Sequence, residues 1–208
     1  MLVTGTGTAT GKTWVGAQIL AALKADGHPV AARKPAQSYD PGVEVTDADV
    51  LALATGEQPT DVCPSHRWYE VPMAPPMAAE LLGRPAFSLD DLIDELRWPG
   101  GVRYGLVEGV GGPRSPLAST GDTVALAEAV RPDTVVLVAR TELGTINAVI
   151  LAAAALDGST APHPPPVVFL NRYREDNPLH AGNAAWLRDR TGLDVVTGVE
   201  ALVNRLSS

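Results

Sequence analysis

Short apolar stretches alternate along the chain with longer ones in which the apolar positions step by three and four. Met1 to Thr4, Val30 to Lys34, Gly105 to Glu108, Thr134 to Ala139 and Val167 to Asn171 read as strands, most of them rich in β-branched residues. Lys12 to Asp26 carries Val15, Ile19, Ala22 and Leu23 at helical spacing and is closed by Gly27. Pro35 stops the second strand because it has no N–H for the ladder. Thr46 caps a helix that begins at Asp47, turns Leu51 and Ala54 to one face and ends at Gly56. Ser88 caps another, running to about Trp98 with Leu89, Leu92, Ile93 and Leu96 inward, and two more helices occupy Asp122 to Val130 and Leu143 to Leu156. Glu57 to Pro85 is proline-rich without a clear period, so it reads as surface loop with one short helix near Met77 to Leu82. The proline run Pro162 to Pro166 reads as a stiff lead into the fifth strand.

Buried strands alternating with helices predict an α/β fold: a doubly wound, mostly parallel sheet with helices on both faces. At 208 residues the chain is expected to form a single domain over 1–208. In such sheets ligands sit beyond the carboxyl ends of the strands, so the residues that follow each strand carry the chemistry.

Composition narrows the partners. The net charge of −8 disfavours nonspecific nucleic-acid binding, which needs a clustered positive surface, and points to a small-molecule partner. Cys63 is the one cysteine and can form neither an internal disulfide nor a cysteine metal cluster, which suits a reducing compartment. No apolar run reaches membrane-span length and the first residues lack a secretion-signal layout, so a cytoplasmic location is expected, with no membrane contact. The four histidines, His28, His66, His163 and His180, show no ligand spacing and are taken as surface residues.

The strand ends hold a set of charged groups. After the first strand comes Gly5-Thr6-Gly7-Thr8-Ala9-Thr10-Gly11-Lys12-Thr13, a loop that opens a helix. It departs from the strict phosphate-loop spacing, having Thr6 where that pattern has glycine. Helix-terminal N–H groups bind phosphate oxygens, Lys12 would reach the terminal phosphates, and the Thr13 hydroxyl would meet magnesium. Lys34 ends the second strand in "RKPAQSYD", with Ser38 close behind and Arg33 turned to the opposite face. Asp47, with Asp49 as a competitor, and Glu108 each place an acid at the same edge, suited to Mg²⁺, which takes a few carboxylate and phosphate oxygens and keeps its waters. Asn171 ends the fifth strand, where its amide can match the donor and acceptor edge of adenine. Arg172 and Arg174 stand where a guanine-specific site would want lysine and aspartate.

With these pieces in order, the chain resembles the dethiobiotin synthetases. The landmarks are "VTGTGTATGKT", "KPAQS", "TDADVLALATG", "VPMAPPMAAE", "VEGVGGPRSPL", "LGTINAVI" and the strand ending at Asn171, spread over almost the whole sequence. The resemblance implies a phosphate-loop NTPase fold and a ligase that uses ATP, or another nucleoside triphosphate, with Mg²⁺ to close a ureido ring on 7,8-diaminopelargonic acid and CO2. By position it implies Lys34 and Lys12 as the catalytic pair, and Gly7, Thr8, Ala9, Thr10, Gly11, Lys12, Thr13 and Asn171 at the nucleotide. It implies Thr13, Asp47 and Glu108 at the metal, and Thr8, Lys34, Ser38 and Gly111 at the diamine or its carbamate. It also implies a homodimer in which Leu143, Gly144 and Asn147 reach the neighbour's substrate carboxylate from a helix N-terminus. Ala9, Thr10 and Tyr39 depart from the family pattern, and the part following "VVTGVEAL" is usually longer in the family.

Three other readings compete. A cobyrinate-type amide ligase usually brings a glutaminase domain with a catalytic cysteine, for which the chain has no length. Partition-type ATPases carry an extra lysine early in the phosphate loop, and positions 5 to 10 hold none. A degenerate synthetase paralogue would bind nucleotide without turning over the diamine.

Overall fold

The computed structural model describes residues 1–158 and 163–206. In chain order the strands are β1 (Leu2–Gly5), β2 (Val30–Arg33), β3 (Gln37–Ser38), β4 (Trp68–Tyr69), β5 (Tyr104–Glu108), β6 (Pro116–Ala118), β7 (Gly121–Asp122), β8 (Val135–Ala139), β9 (Val167–Leu170) and β10 (Asp194–Val196). The helices are α1 (Lys12–Ala25), α2 (Asp47–Thr55), α3 (Pro59–Val62), α4 (Pro75–Leu81), α5 (Leu89–Glu95), α6 (Thr123–Val130), α7 (Thr145–Asp157), α8 (Pro178–Thr191) and α9 (Val199–Leu206).

Six strands form one parallel sheet in the order β10-β9-β8-β1-β5-β2. Register sets Val3 opposite both Glu108 and Val136, and Arg33 opposite Val107, so all six carboxyl ends open on one edge. The strand alternation divides the core. Val3, Ala32, Leu106, Val136 and Val138 meet Val15, Ile19, Leu20 and Leu23 of α1 and Leu51 of α2 on one face. On the other face, Leu2, Val107 and Val135 meet Leu92 of α5 and Leu126 of α6, while Leu137 and Val168 meet Val149 of α7 and Leu187 of α8. Each fully buried leucine contributes about 2 kcal/mol, so the sheet is a rigid base for its loops.

The expected doubly wound architecture is present, with differences at the ends of elements. β2 ends at Arg33, which leaves Lys34 just beyond it, and α5 stops at Glu95 rather than near Trp98. In the stretch Glu57 to Pro85 the expected short helix is α4, and besides it the chain forms α3, a 3-10 turn at Ser65–Arg67 and β4. β4 pairs with β3, giving two residues per strand and therefore no period to read. Beyond Asn171 the chain adds α8, β10 and α9, which the apolar pattern did not predict. α8 buries His180 and Asn183 beside Ala184 and Leu187, so its inner face is half polar. His180 is accordingly buried rather than a surface residue; its Nδ1 accepts from the Arg174 N–H at 3.1 Å. Of the proline run, Pro162 lies outside the described residues. No helix among the described residues is long and apolar enough to cross a membrane.

Candidate functional site

The loop after β1 hands the chain to α1 through Gly11, which caps the helix at φ 95°. A Cβ at Gly11 would sit 2.0 Å from Nδ2 of Asn171, so only glycine fits there. Lys12, the first helical residue, folds back and donates from Nζ to the carbonyls of Gly7 and Gly111, each at 3.0 Å. Burial pushes its pKa down to about 8; the positive charge of Lys34 adds to this, and Glu108 and Asp47 oppose it.

Lys34 lies directly after β2, its N–H held by the Val62 carbonyl at 2.8 Å. Its Nζ is 2.5 Å from Glu108 Oε1 and 2.8 Å from Asp47 Oδ2. Lys34 is only 3% exposed and Glu108 is fully buried, so this ion pair is shielded from water. Burial alone would lower the Lys34 pKa, but the two carboxylates outweigh it and raise it above the ordinary lysine value. Lys34 in turn holds Asp47 below the usual carboxylate range. Glu108 moves the other way: burial raises it, against the pull of Lys34. The neighbouring Arg33 turns away, stacks 5.0 Å over Trp98 and pairs with Glu57 at 2.7 Å, as strand alternation requires.

Asp47 and Asp49 separate cleanly. Asp49 accepts the Thr46 N–H at 2.7 Å and completes a capping box for α2, whereas Asp47 faces Lys34. Thr13 donates to Glu108 Oε1 at 3.0 Å, which brings Thr13, Asp47 and Glu108 to one place. The second Glu108 oxygen, Oε2, is buried without a hydrogen-bond partner among the described residues. A buried carboxylate oxygen in that condition, beside a hydroxyl and a second acid, fits a hard divalent cation or its water.

Ser38 Oγ, in β3 four residues after Lys34, is likewise buried and without a partner among the described residues. Gly111 adopts φ 52°, where an added Cβ would lie 2.3 Å from Ser115 Oγ and 3.7 Å from Thr8 Oγ1, so Thr8 and Gly111 border the same space. Thus Gly7, Thr8, Gly11, Lys12, Thr13, Lys34, Asp47, Glu108 and Gly111 gather around one sheet edge, while Ser38 lies in the separate β3–β4 pair. Leu143, Gly144 and Asn147 do not join them within the chain. They are exposed at the start of α7, after β8, with β1 and β5 lying between β8 and β2, about 14 Å at the usual strand spacing. Asn171 does reach the loop, but both ends of its amide are used: Nδ2 donates to Thr10 O at 2.9 Å and Oδ1 accepts the Arg172 N–H at 2.9 Å.

The family described as an AAA domain matches residues 1–204. Two solved structures share the fold at low identity. The signal recognition particle receptor FtsY of Elizabethkingia anophelis has a TM-score of 0.52 at 13% identity, covering 94% of this chain and 56% of that one. Chloroplast FtsY of Physcomitrella patens has a TM-score of 0.50 at 15% identity, covering all of this chain and 64% of that one. Among curated proteins, an ATP-dependent dethiobiotin synthetase of Caulobacter sp. is 39% identical over 160 residues, 75% of this chain and 69% of its own. The protein of the same name from Anaeromyxobacter dehalogenans is 35% identical over 189 residues, 89% of this chain and 82% of its own. The chain belongs to the dethiobiotin synthetase family.

As a dethiobiotin synthetase family member it carries its departures in visible places. Ala9 stands at φ 56°, a left-handed conformation that costs a non-glycine residue about 1–2 kcal/mol. Thr10 is buried, its hydroxyl 3.4 Å from the Gly7 carbonyl. Tyr39 extends the β3–β4 pairing by donating its N–H to Tyr69 O at 3.0 Å. Cys63 is fully buried and its thiol is pushed up to about 12 by burial, which keeps it from acting as a nucleophile near neutrality. Arg140 escaped the sequence reading: it follows β8 and donates to Ala9 O from Nε at 3.2 Å and from Nη2 at 3.0 Å. The available signal was a charged residue directly after an unbroken apolar strand.

Proposed function

We infer that this member of the family is itself a dethiobiotin synthetase: an ATP- and magnesium-dependent carbon–nitrogen cyclo-ligase of biotin biosynthesis, formed by one nucleotide-binding domain over residues 1–208. It takes 7,8-diaminopelargonic acid and CO2 and acts in the cytoplasm. The observation that carries this reading is the Lys34 ammonium, buried between Glu108 and Asp47 at the edge where Lys12 crosses the phosphate loop.

The amides from Gly7 to Thr13 cradle the phosphates, and Lys12 exchanges the carbonyls of Gly7 and Gly111 for phosphate oxygens. Bound magnesium neutralises charge on the phosphates. Thr13, Asp47 and Glu108 hold that ion, and the unpartnered Glu108 Oε2 favours the assignment. Asn171 stands at the nucleotide end of the site. Thr8, Ser38 and Gly111 hold the diamine after CO2 has joined one amine as a carbamate, a step that releases a proton. Lys34 lies between carbamate and γ-phosphate and screens their repulsion. A carbamate oxygen attacks phosphorus and ADP leaves; the second amine then attacks the carbamate carbon, phosphate departs and the ring closes. Such catalysis is chiefly positioning and charge neutralisation, so no protein nucleophile enters.

The active form is a homodimer in which Leu143, Gly144 and Asn147 of one copy meet the substrate carboxylate held by the other. The exposed Leu143 just before α7, and Ile150 and Leu151 on it, support this arrangement.

The decisive experiment supplies ATP, Mg²⁺, bicarbonate and the diamine and measures phosphate together with the mass of the product. Phosphate release that needs both bicarbonate and diamine is expected. No release with any of several nucleotides would refute the substrate assignment. Calorimetry showing nucleotide binding without diamine binding would instead identify a non-catalytic paralogue.

A further inference from the structure

Two carbonyls at the crown of the phosphate loop are held from outside it. Arg140, at the end of β8, binds Ala9 O through two nitrogens, and Asn171, at the end of β9, binds Thr10 O through Nδ2. In a trans peptide the carbonyl and the following N–H point in opposite directions. Pinning Ala9 O and Thr10 O outward therefore turns the N–H groups of Thr10 and Gly11 inward, where a nest of amides meets an anion. We propose that Arg140 and Asn171 are positioning residues that fix these two peptide planes, so that the loop is already shaped for the nucleotide's phosphates before they arrive. The proposal rests on the phosphate-binding reading of the loop; it leaves Asn171 its place at the nucleotide and assigns Arg140 no contact with it.

Three observations converge on it. Ala9 is left-handed without being glycine, and the chain keeps that conformation where Arg140 provides a charge-assisted bond to its carbonyl. The Arg140 side chain is exposed and free to extend into water, yet both nitrogens turn back to the loop, and its backbone carbonyl is fastened by the Thr145 hydroxyl at the start of α7. Asn171 is 7% exposed with both amide ends occupied, and Gly11 is packed so closely against it that a methyl group would collide. An amide has two N–H donors and two acceptor lone pairs, so these two bonds leave one of each for a base edge while Thr10 O stays held.

The test uses the full chain with Mg²⁺ and compares ATP with inorganic tripolyphosphate, which has the phosphates but no base. For Arg140→Ala, the KM for ATP and the Kd for tripolyphosphate should both rise about tenfold, the loss typical of one charge-assisted hydrogen bond, with the KM for the diamine unchanged. Arg140→Gln should recover most of this, because glutamine Nε2 falls where arginine Nε sits and still donates to Ala9 O. A glutamine variant as weak as alanine would show that charge, not the bond, matters, and would overturn the role of Arg140. Asn171→Ala should weaken tripolyphosphate as well as ATP; weakening of ATP alone would show that Asn171 acts only on the base and would overturn its half. Should Asn171→Ala fail to fold, Asn171→Ser, which keeps a short donor, replaces it in the same comparison. If the unaltered protein binds neither probe, the reading of the loop itself fails, an outcome distinct from either overturned role.

Discussion

The two lysines of the site are prepared differently, and each preparation has a measurable consequence. Lys12 is held in a partly dry loop with its pKa near 8, below the ordinary 10.5, so the folded chain holds it charged at a cost below pH 8. Between 8 and 10.5 the unfolded chain binds more protons, and stability rises with pH in that window. A shift of that size is worth about 3 kcal/mol, less about 1 for the carbonyl hydrogen bonds that methionine cannot make. Lys12→Met is therefore expected to stabilise the nucleotide-free protein by about 2 kcal/mol at pH 7 while nucleotide binding is lost, as denaturant titration and calorimetry would show. Triphosphate needs the charged form, so binding to the unaltered protein at pH 8.5 should take up more than half a proton, read from heats in two buffers of different ionisation enthalpy. Lys34 works in the other direction. Its pKa is raised, so its stabilisation is complete below the ordinary lysine value and is lost as pH climbs through the folded one. Lys34→Ala should abolish turnover and leave Glu108 buried without its cation, a loss of about 3–5 kcal/mol if Glu108 stayed ionised and less once it takes up a proton.

At the level of elements, α2 shows how one short helix divides labour between adjacent acids. Asp49 closes the capping box with Thr46 and Asp47 faces Lys34, so their substitutions should separate. Asp49→Ala is expected to lower stability by about 1 kcal/mol with turnover largely kept, whereas Asp47→Asn should lower turnover at saturating diamine and also lower the melting temperature, because Lys34 loses one of its two carboxylates. Sequence could not divide them, because both sit in the first turn and only the entry angle of the chain decides which one looks at Lys34. The same limit governs the rest of the fold. Strands β1, β5, β8 and β9 were legible since each is buried on both faces and reads as a nearly continuous apolar run. The pairing of β3 with β4 was not, as two-residue strands have no periodicity, and α8 was hidden by an inner face that carries His180 and Asn183. Glu108 was found because a carboxylate at the end of a buried strand has few structural uses, Lys12 because a glycine-rich loop between a strand and a helix displays it, and Lys34 from its place after β2 together with the family landmarks. Arg140 also follows a buried strand and was overlooked, since what it holds is a backbone carbonyl that no sequence pattern displays.

For the whole molecule, the strand order makes the site look incomplete in a single copy. Lys34 follows the edge strand β2, the phosphate loop follows β1, and the amides at the start of α7 follow β8 on the far side of that loop. A nucleotide seated on the loop would lie between the ammonium and the α7 N-terminus, which then faces outward with Leu143 89% exposed and Leu151 63% exposed. One exposed leucine before the helix and another along it suit a surface that meets another copy better than one that stays in water. The native mass in solution should therefore correspond to two chains. Leu151→Arg, far along α7 from the amides, is expected to shift that mass towards one chain and to raise the KM for the diamine more than the KM for ATP, because in the proposed dimer only the diamine carboxylate would draw on the neighbour. Leu143→Ala, which keeps the helix amides but trims the contact, should do the same more weakly. A variant that becomes a single chain and keeps the unaltered KM for the diamine would show that each copy completes its own site, and α7 would then need another role.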